Sequence, residues 1–319
     1  MSHASASGEN PAVLGRTGAF GRDLLAGLTL AAITIPEQMA TARLGGFEPQ
    51  IGFYAFVAAT LGFVLFGASR LLTAGADSTI TPIFVSGLAA LAAGGAIPAG
   101  SATLLALLVG LALVVAGLLR LGWIADLLSV PVLTGFLAGI AVHIALSQLP
   151  GLLGIPGGGH HIAEQVAALW HGLGAINLIS LAIGAATFAI VNLCERLAPR
   201  VPGALLALVG ATAAVVLFKL ETRGVAVLGA LPSGWPSFAP PVLDWADIRS
   251  LVPLALVIAL VVMMQTATVS RSFRDPDGAE PKIDRDFIGI GAANLFAGLA
   301  STFPVNASPP RTADRKSVV

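Results

Sequence analysis

Apolar positions fall in nine long runs, at about residues 22–43, 51–67, 78–95, 101–120, 130–149, 173–193, 202–219, 250–270 and 286–302, and a tenth begins near Pro304. Most breaks between them carry Gly, Pro or charge, where helices stop. A helix needs roughly 20 apolar residues to cross a hydrocarbon core about 30 Å thick. The pattern therefore predicts a membrane helix for each run. The longest polar connections are 150–172 and 220–249, each with Gly and Pro, and WIADLLS at 123–129 reads as a short interfacial helix.

Two runs open differently from the rest. The third is preceded by LLTAGADSTITP, residues 71–82, and the tenth opens with FPVNASPPRTA, residues 303–313. In the first, Gly75 weakens a helix, Asp77 or Ser78 can cap one, and Pro82 suits a first turn. The second has the same grammar, with Pro309 and Pro310 where a helix can start. Both predict an extended stretch followed by a half-helix that begins inside the membrane. Interrupted spans in corresponding positions point to a secondary-transporter site, and their open N–H groups and positive dipole ends suit an anion.

Composition sharpens this picture. Of 319 residues, 56% are hydrophobic and 11% charged, against about a quarter charged in soluble domains. That excludes a disordered chain and a soluble globule and leaves an all-α integral membrane protein. Zero net charge and the lack of a basic tail remove any electrostatic basis for nucleic-acid binding. Cys194 is the single cysteine, so no internal disulfide forms. The polar start lacks the features of a cleaved signal peptide, so the first run stays as a membrane helix behind a tail at 1–21. With the N-terminus inside, alternate loops place Arg16, Arg22, Arg70, Arg120, Arg196, Arg200, Arg271, Arg274, Lys282 and Arg285 inside, against Arg43, Lys219, Arg223 and Arg249 outside. This bias supports a cytoplasmic N-terminus in a cell membrane.

Several segments resemble the sulfate permease (SulP) family of anion transporters. AGLTLAAITIPEQMATARLGGFEPQIGFYA (26–55) is similar to its first signature, FGASRLLTAG (66–75) to its Phe-Gly-Thr-Ser-Arg segment, PVLTGFLAGIAVHIALSQLPGLLGI (131–155) to its fifth helix, and NLFAGLASTFPVNASPPRTA (294–313) to its ninth-to-tenth passage. The resemblance implies a seven-plus-seven inverted repeat. It implies a core domain (22–122 with spans one to four, and 250–319 with spans eight, nine and the start of ten), a gate domain (123–220, spans five to seven) and an external loop (221–249). Family members usually carry a cytoplasmic STAS domain and commonly form homodimers. The chain departs from the pattern at three places. Gln265 stands where many members have Glu, GADST adds Asp77 ahead of the third helix, and DRKSVV follows Ala313 where the family continues with an apolar helix. The tenth helix is therefore expected to be truncated at its start, leaving the site with one complete wall.

The candidate substrate-binding residues are Glu37, Thr41, Ala76, Asp77, Ser78, Gln265, Thr268, Ser308 and Arg311. Glu37 lies mid-way along the first span, where a carboxylate is costly unless paired, hydrated or protonated. Thr41, one turn on, faces the same cavity or bonds back to its own helix. Asp77 and Ser78 cap the third helix or line the site. An ionised Asp77 repels an anion, so it is protonated on binding, holds a co-transported cation, or points away. Glu37 and Asp77 are thus the candidates for coupling H+ or Na+. Gln265 and Thr268 offer neutral hydrogen bonds, or serve only a helix–helix contact. Arg311 is the one cation expected near the midplane, and the resemblance gives the matching Arg a part in holding the anion. His160, His161 and His171 lack ligand spacing, so no metal site is expected, and no motif calls for a cofactor or catalysis.

Secondary active transport of a small inorganic anion, sulfate or bicarbonate, by alternating access is the function these features imply. A nucleobase permease of the same fold is the rival, disfavoured because Gln265 replaces the acid such sites use. A non-transporting fragment or scaffold is the other alternative.

Overall fold

The computed structural model describes residues 27, 30–92, 100–126, 130–157, 162–197, 203–227, 229, 234, 244–273 and 280–318. The tail at 1–21 and much of the 221–249 loop lie outside the described residues. The described residues are mostly helical. Residues 30–44 form α1, followed by α2 (Pro49–Phe66), β1 (Ala74–Gly75), α3 (Thr81–Leu91), α4 (Ser101–Leu118) and α5 (Val130–Leu153). Next come α6 (Ile162–Gly172), α7 (Leu178–Leu197), α8 (Gly203–Leu217), α9 (Trp245–Ser272), α10 (Ile283–Leu299), β2 (Asn306–Ala307) and α11 (Pro309–Val318). Every predicted run contains one of these helices.

Helices α2, α4 and α9 are each long and apolar enough to cross a bilayer. Helix α3 has 11 residues, about 17 Å at 1.5 Å per residue, and so reaches only part-way. Three readings change. The 150–172 connection contains the helix α6, set at 113° to α7 across a short break. Its exposed Ile162, Val166 and Trp170 lie at i, i+4 and i+8, an amphipathic stripe hidden in a Gly-rich, polar-looking stretch. The expected interfacial helix at 123–129 is a 3-10 turn over Leu121–Asp126. Beyond Ala313 the charged residues continue the tenth helix, which runs to Val318.

Two packing groups result. Helix α10 lies against α2 and α4, with α9 on α4 and α10; separately, α7 packs on α8, and α5 on α6 and α7. Small residues let the first group close up, since apolar lipid gives helices little reason to associate except tight packing. A Cβ added at Gly62 meets Ala293 N at 2.7 Å and the Ala292 carbonyl at 2.8 Å. Gly110 and Gly291 stand equally close to each other's helix. Gly62→Ala forces α2 off α10 and is expected to cost about 1–3 kcal/mol, as overpacking does; the measurement is the melting temperature of the detergent-solubilised protein. Phe47, Phe84 and Phe303 form a ring cluster, with Phe303 4.9 Å from Phe47 and 5.7 Å from Phe84 between centroids. The cluster joins the first turn of α3 to the stretch before β2.

Candidate anion site between two half-helices

The site is built on the crossing of two extended stretches. β1 pairs antiparallel with β2, Ala74 opposite Ala307 and Gly75 opposite Asn306. Two residues per strand make a ladder too short to hold by itself, and side chains extend it. Gln38 on α1 accepts from Ala76 N at 2.6 Å and donates to Ala76 O at 3.0 Å. Asn294 on α10 treats Val305 the same way, accepting from its N–H at 3.0 Å and donating to its carbonyl at 2.9 Å. Each amide stands in for a neighbouring strand. Ser308 N donates to Thr73 O at 3.1 Å, and Thr73 N to the Thr312 hydroxyl at 3.2 Å.

Both stretches then turn into helices, with a Pro in the first turn of α3 and Pro309 and Pro310 opening α11. Proline suits that position because the first N–H groups of a helix have no partner within it. Asp77 caps the turn that opens into α3, its carbonyl accepting from Thr81 N at 3.1 Å. The residue preceding α3 is Ile80, and the Asp77 carboxylate accepts from Thr79 N at 3.0 Å, closing a turn ahead of the helix.

A cavity of about 240 Å³ opens between the two helix starts, lined by residues 77–79 and 308–310 together with Glu37, Gln265 and Thr268. The expected single wall is therefore two: the turn that leads into α3 and the first residues of α11 both line the cavity. Six of the nine sequence candidates line this cavity, namely Glu37, Asp77, Ser78, Gln265, Thr268 and Ser308. Thr41 does not; its hydroxyl donates to Glu37 O in its own helix at 3.0 Å. Ala76 lies behind the lining, its N–H taken by Gln38. Thr268 lines the cavity but its hydroxyl bonds Met264 O at 2.8 Å.

Arg311 sits behind the cavity and is 1% exposed. Its Nη1 donates to Ala76 O at 2.7 Å and lies 3.6 Å from Glu37 Oε1. Its Nε and Nη2 are buried without an acceptor. Buried donors of a guanidinium nearly always have partners, and these two lie on one edge of the fork, where a pair of oxygens can be met side by side. Glu37 is half in reach of solvent, its side chain 41% exposed.

Gln265 bridges the two openings. Its Nε2 lies 2.8 Å from the Thr79 hydroxyl, its Oε1 accepts from Asn306 Nδ2, and the Thr79 hydroxyl donates to Asp77 Oδ1. Gln38, Thr79, Asn294 and Asn306 are absent from the sequence candidates. The signal for Gln38 and Asn294 was a neutral amide inside an apolar run, which carries no charge to draw the eye. A further missed residue is Asp286 on α10, which is buried and accepts from Ala68 N at 3.0 Å, Ser69 N at 2.9 Å and the Ser270 hydroxyl at 2.8 Å. It fixes the turn between α2 and β1. His160 and His161 lie outside the described residues. Among the described residues, no three metal-ligating side chains gather.

Two half-helices meeting over a cavity inside an all-helical bundle define the inverted-repeat transporter class of membrane fold. Residues 20–317 match the model of the sulfate permease family, and the chain belongs to that family. It is 36% identical over 292 residues to a protein of Mycobacterium tuberculosis described as a probable sulfate transporter, covering 91% of this chain and 52% of that one. A putative sulfate transporter of Bacillus subtilis is 30% identical, with coverage of 92% and 55%. The chain thus spans about half the length of these relatives. In fold it is similar to the transmembrane domain of the cyanobacterial bicarbonate transporter BicA (TM-score 0.80, 20% identity, 94% of this chain and 77% of that one). The murine anion transporter Slc26a9 in its inward-facing state is also similar (TM-score 0.81, 19% identity, 100% and 58%).

Proposed function

We propose that the chain carries the anion site of a secondary active transporter, with sulfate and bicarbonate as its first candidate substrates. The observation that carries this reading is the buried Arg311 guanidinium with two free donors beside two helix N-termini. Helix starts and a guanidinium edge both favour an anion. The names of the sulfate and bicarbonate transporters among the relatives support the substrate choice.

Charge count argues for a co-substrate. Among the described residues at the cavity, Arg311 is the cation set against the carboxylates of Glu37 and Asp77, both of which line it. An anion added to that set faces net repulsion in a medium of low dielectric, which a proton or a sodium ion removes. Glu37 and Asp77 are the groups to receive it. The remaining candidates take lesser parts: Ser78, Gln265, Thr268 and Ser308 supply neutral contacts, while Thr41 and the Ala76 backbone support Glu37 and Arg311 from behind. The α2–α4–α9–α10 group (22–122 and 250–319) is read as the moving core and the α5–α8 group (123–220) as the gate, in a cell-membrane protein with a cytoplasmic N-terminus that acts as a homodimer when joined to the rest of its length. Alternating access then carries the site past the gate.

The test is uptake of labelled sulfate and bicarbonate into proteoliposomes under an inward proton or sodium gradient. Glu37→Gln is expected to abolish gradient-driven accumulation while anion affinity stays within roughly threefold. If that variant keeps its full gradient dependence, Glu37 is not the coupling group. If the unaltered chain takes up neither anion, transport by this chain is refuted.

A further inference from the structure

Asp77 and Arg311 do not form an ion pair, and the chain is built so that they easily could. Arg311 bonds the carbonyl of Ala76, the residue next to Asp77, at 2.7 Å. Nε and Nη2 of Arg311 have no acceptor, and the carboxylate of Asp77, next along the chain from Ala76, is of the kind such donors take. The hydrogen bonds on Asp77 explain why the pair stays open. Both fall on Oδ1, from Thr79 N at 3.0 Å and from the Thr79 hydroxyl.

The direction of those bonds is fixed from the backbone. Ala307 N–H donates to Asn306 Oδ1 at 2.8 Å, which turns Asn306 Nδ2 toward Gln265. A donor there requires Gln265 to present Oε1, so its Nε2 faces Thr79 at 2.8 Å. Gln265 Oε1 also lies 3.0 Å from the Thr79 hydroxyl, but that hydroxyl has one proton, and a carboxylate acceptor holds it more strongly than an amide. The sequence of donors therefore runs one way, Asn306 to Gln265 to Thr79 to Asp77.

We propose that Gln265 is a positioning residue that, through Thr79, holds the Asp77 carboxylate away from Arg311 and so keeps the guanidinium edge open for the transported oxyanion. This rests on the anion-transport reading and gives it a mechanism for avoiding self-occupation. An amide suits the role because it donates on one side and accepts on the other. A carboxylate at that place would take the Thr79 proton for itself and release Asp77. With Gln265 replaced by an apolar side chain, the Thr79 hydroxyl loses the partner that orients it, Asp77 is left with the Thr79 N–H alone, and the carboxylate turns to Arg311 and competes with the anion.

The test uses the full chain in proteoliposomes and labelled sulfate and bicarbonate. Gln265→Met is expected to raise KM at least about tenfold, with kcat changed by less than about threefold. Adding Asp77→Asn removes the competitor, so Q265M/D77N should return to within about threefold of the KM of D77N alone. A role of Gln265 in packing alone would not be rescued by neutralising another residue. The proposal is overturned if Q265M/D77N stays as weak as Q265M, or if Q265M matches the unaltered chain. Melting temperatures separate this from failure of transport itself. Coupling between Asp77→Asn and Arg311→Lys should be near zero with Gln265 present and appear in the Q265M background. If neither anion is taken up but that coupling appears, the tether stands and the transport reading falls. If uptake occurs and no coupling or rescue appears, the tether alone is wrong.

Discussion

Arg311→Ala is expected to lower initial sulfate or bicarbonate uptake at least about 100-fold at subsaturating anion, equivalent to roughly 2.7 kcal/mol. Two charge-assisted hydrogen bonds, each worth about 1.5–3 kcal/mol, account for a loss of that size. The truncation also frees the Ala76 carbonyl, which Arg311 Nη1 now engages, so part of the effect is on the crossing itself. Arg311→Lys separates the two contributions. Lysine keeps the charge and one donor but loses the fixed fork, and roughly a tenfold loss is expected, close to 1.4 kcal/mol. Uptake is to be measured on protein that elutes as a single species, so that misfolding is not read as lost affinity. A lysine variant as active as the unaltered chain would mean that the guanidinium edge does not meet the anion.

Asp286→Ala should produce the largest loss of stability. Three donors from two places, the turn at 68–69 and α9, converge on this buried carboxylate. Removing it leaves two backbone N–H groups and a hydroxyl without their acceptor, at about 1–3 kcal/mol for each group left buried and unpaired. The expected outcome is a fall in melting temperature larger than that of Gly62→Ala, with loss of monodisperse protein. Asp286→Asn keeps an oxygen for the two backbone donors and should recover much of the difference. Retained stability in Asp286→Ala would show that water can replace the carboxylate there.

The spans were legible because their breaks are chemical: Gly, Pro and charge interrupt runs long enough to cross a bilayer. The two extended openings were legible for the same reason, since TAGADSTITP and FPVNASPPRTA cannot be continuous helices. What escaped was what depends on direction. Gln38 stands beside Glu37 and looked subordinate to it, yet it is Gln38 that closes two bonds on Ala76. Thr41 sits one turn from Glu37, and spacing alone could not say whether its hydroxyl faced the cavity or its own helix. Asp286 reads in the sequence as a charge at the start of a span, and its three donors come from residues far along the chain. Helix α6 carried a visible i, i+4, i+8 stripe, masked by the glycines and histidines before it. The charged run after Arg311 resembled an ending because it is polar, but polarity does not stop a helix, and Arg315 there reaches back to Leu72 O at 3.4 Å.

The crossing of the two short strands has a mechanical consequence. Its backbone groups are claimed from every side: by each other, by Gln38 and Asn294, by Thr312, and by Arg311 on the Ala76 carbonyl. A joint so fully stitched has no slack with which to unzip, so it behaves as a bolt rather than a hinge. Whatever occupies the cavity cannot be let go by peeling one strand from the other. The floor and both helix starts are therefore tied into one unit, which moves, if it moves, as a whole.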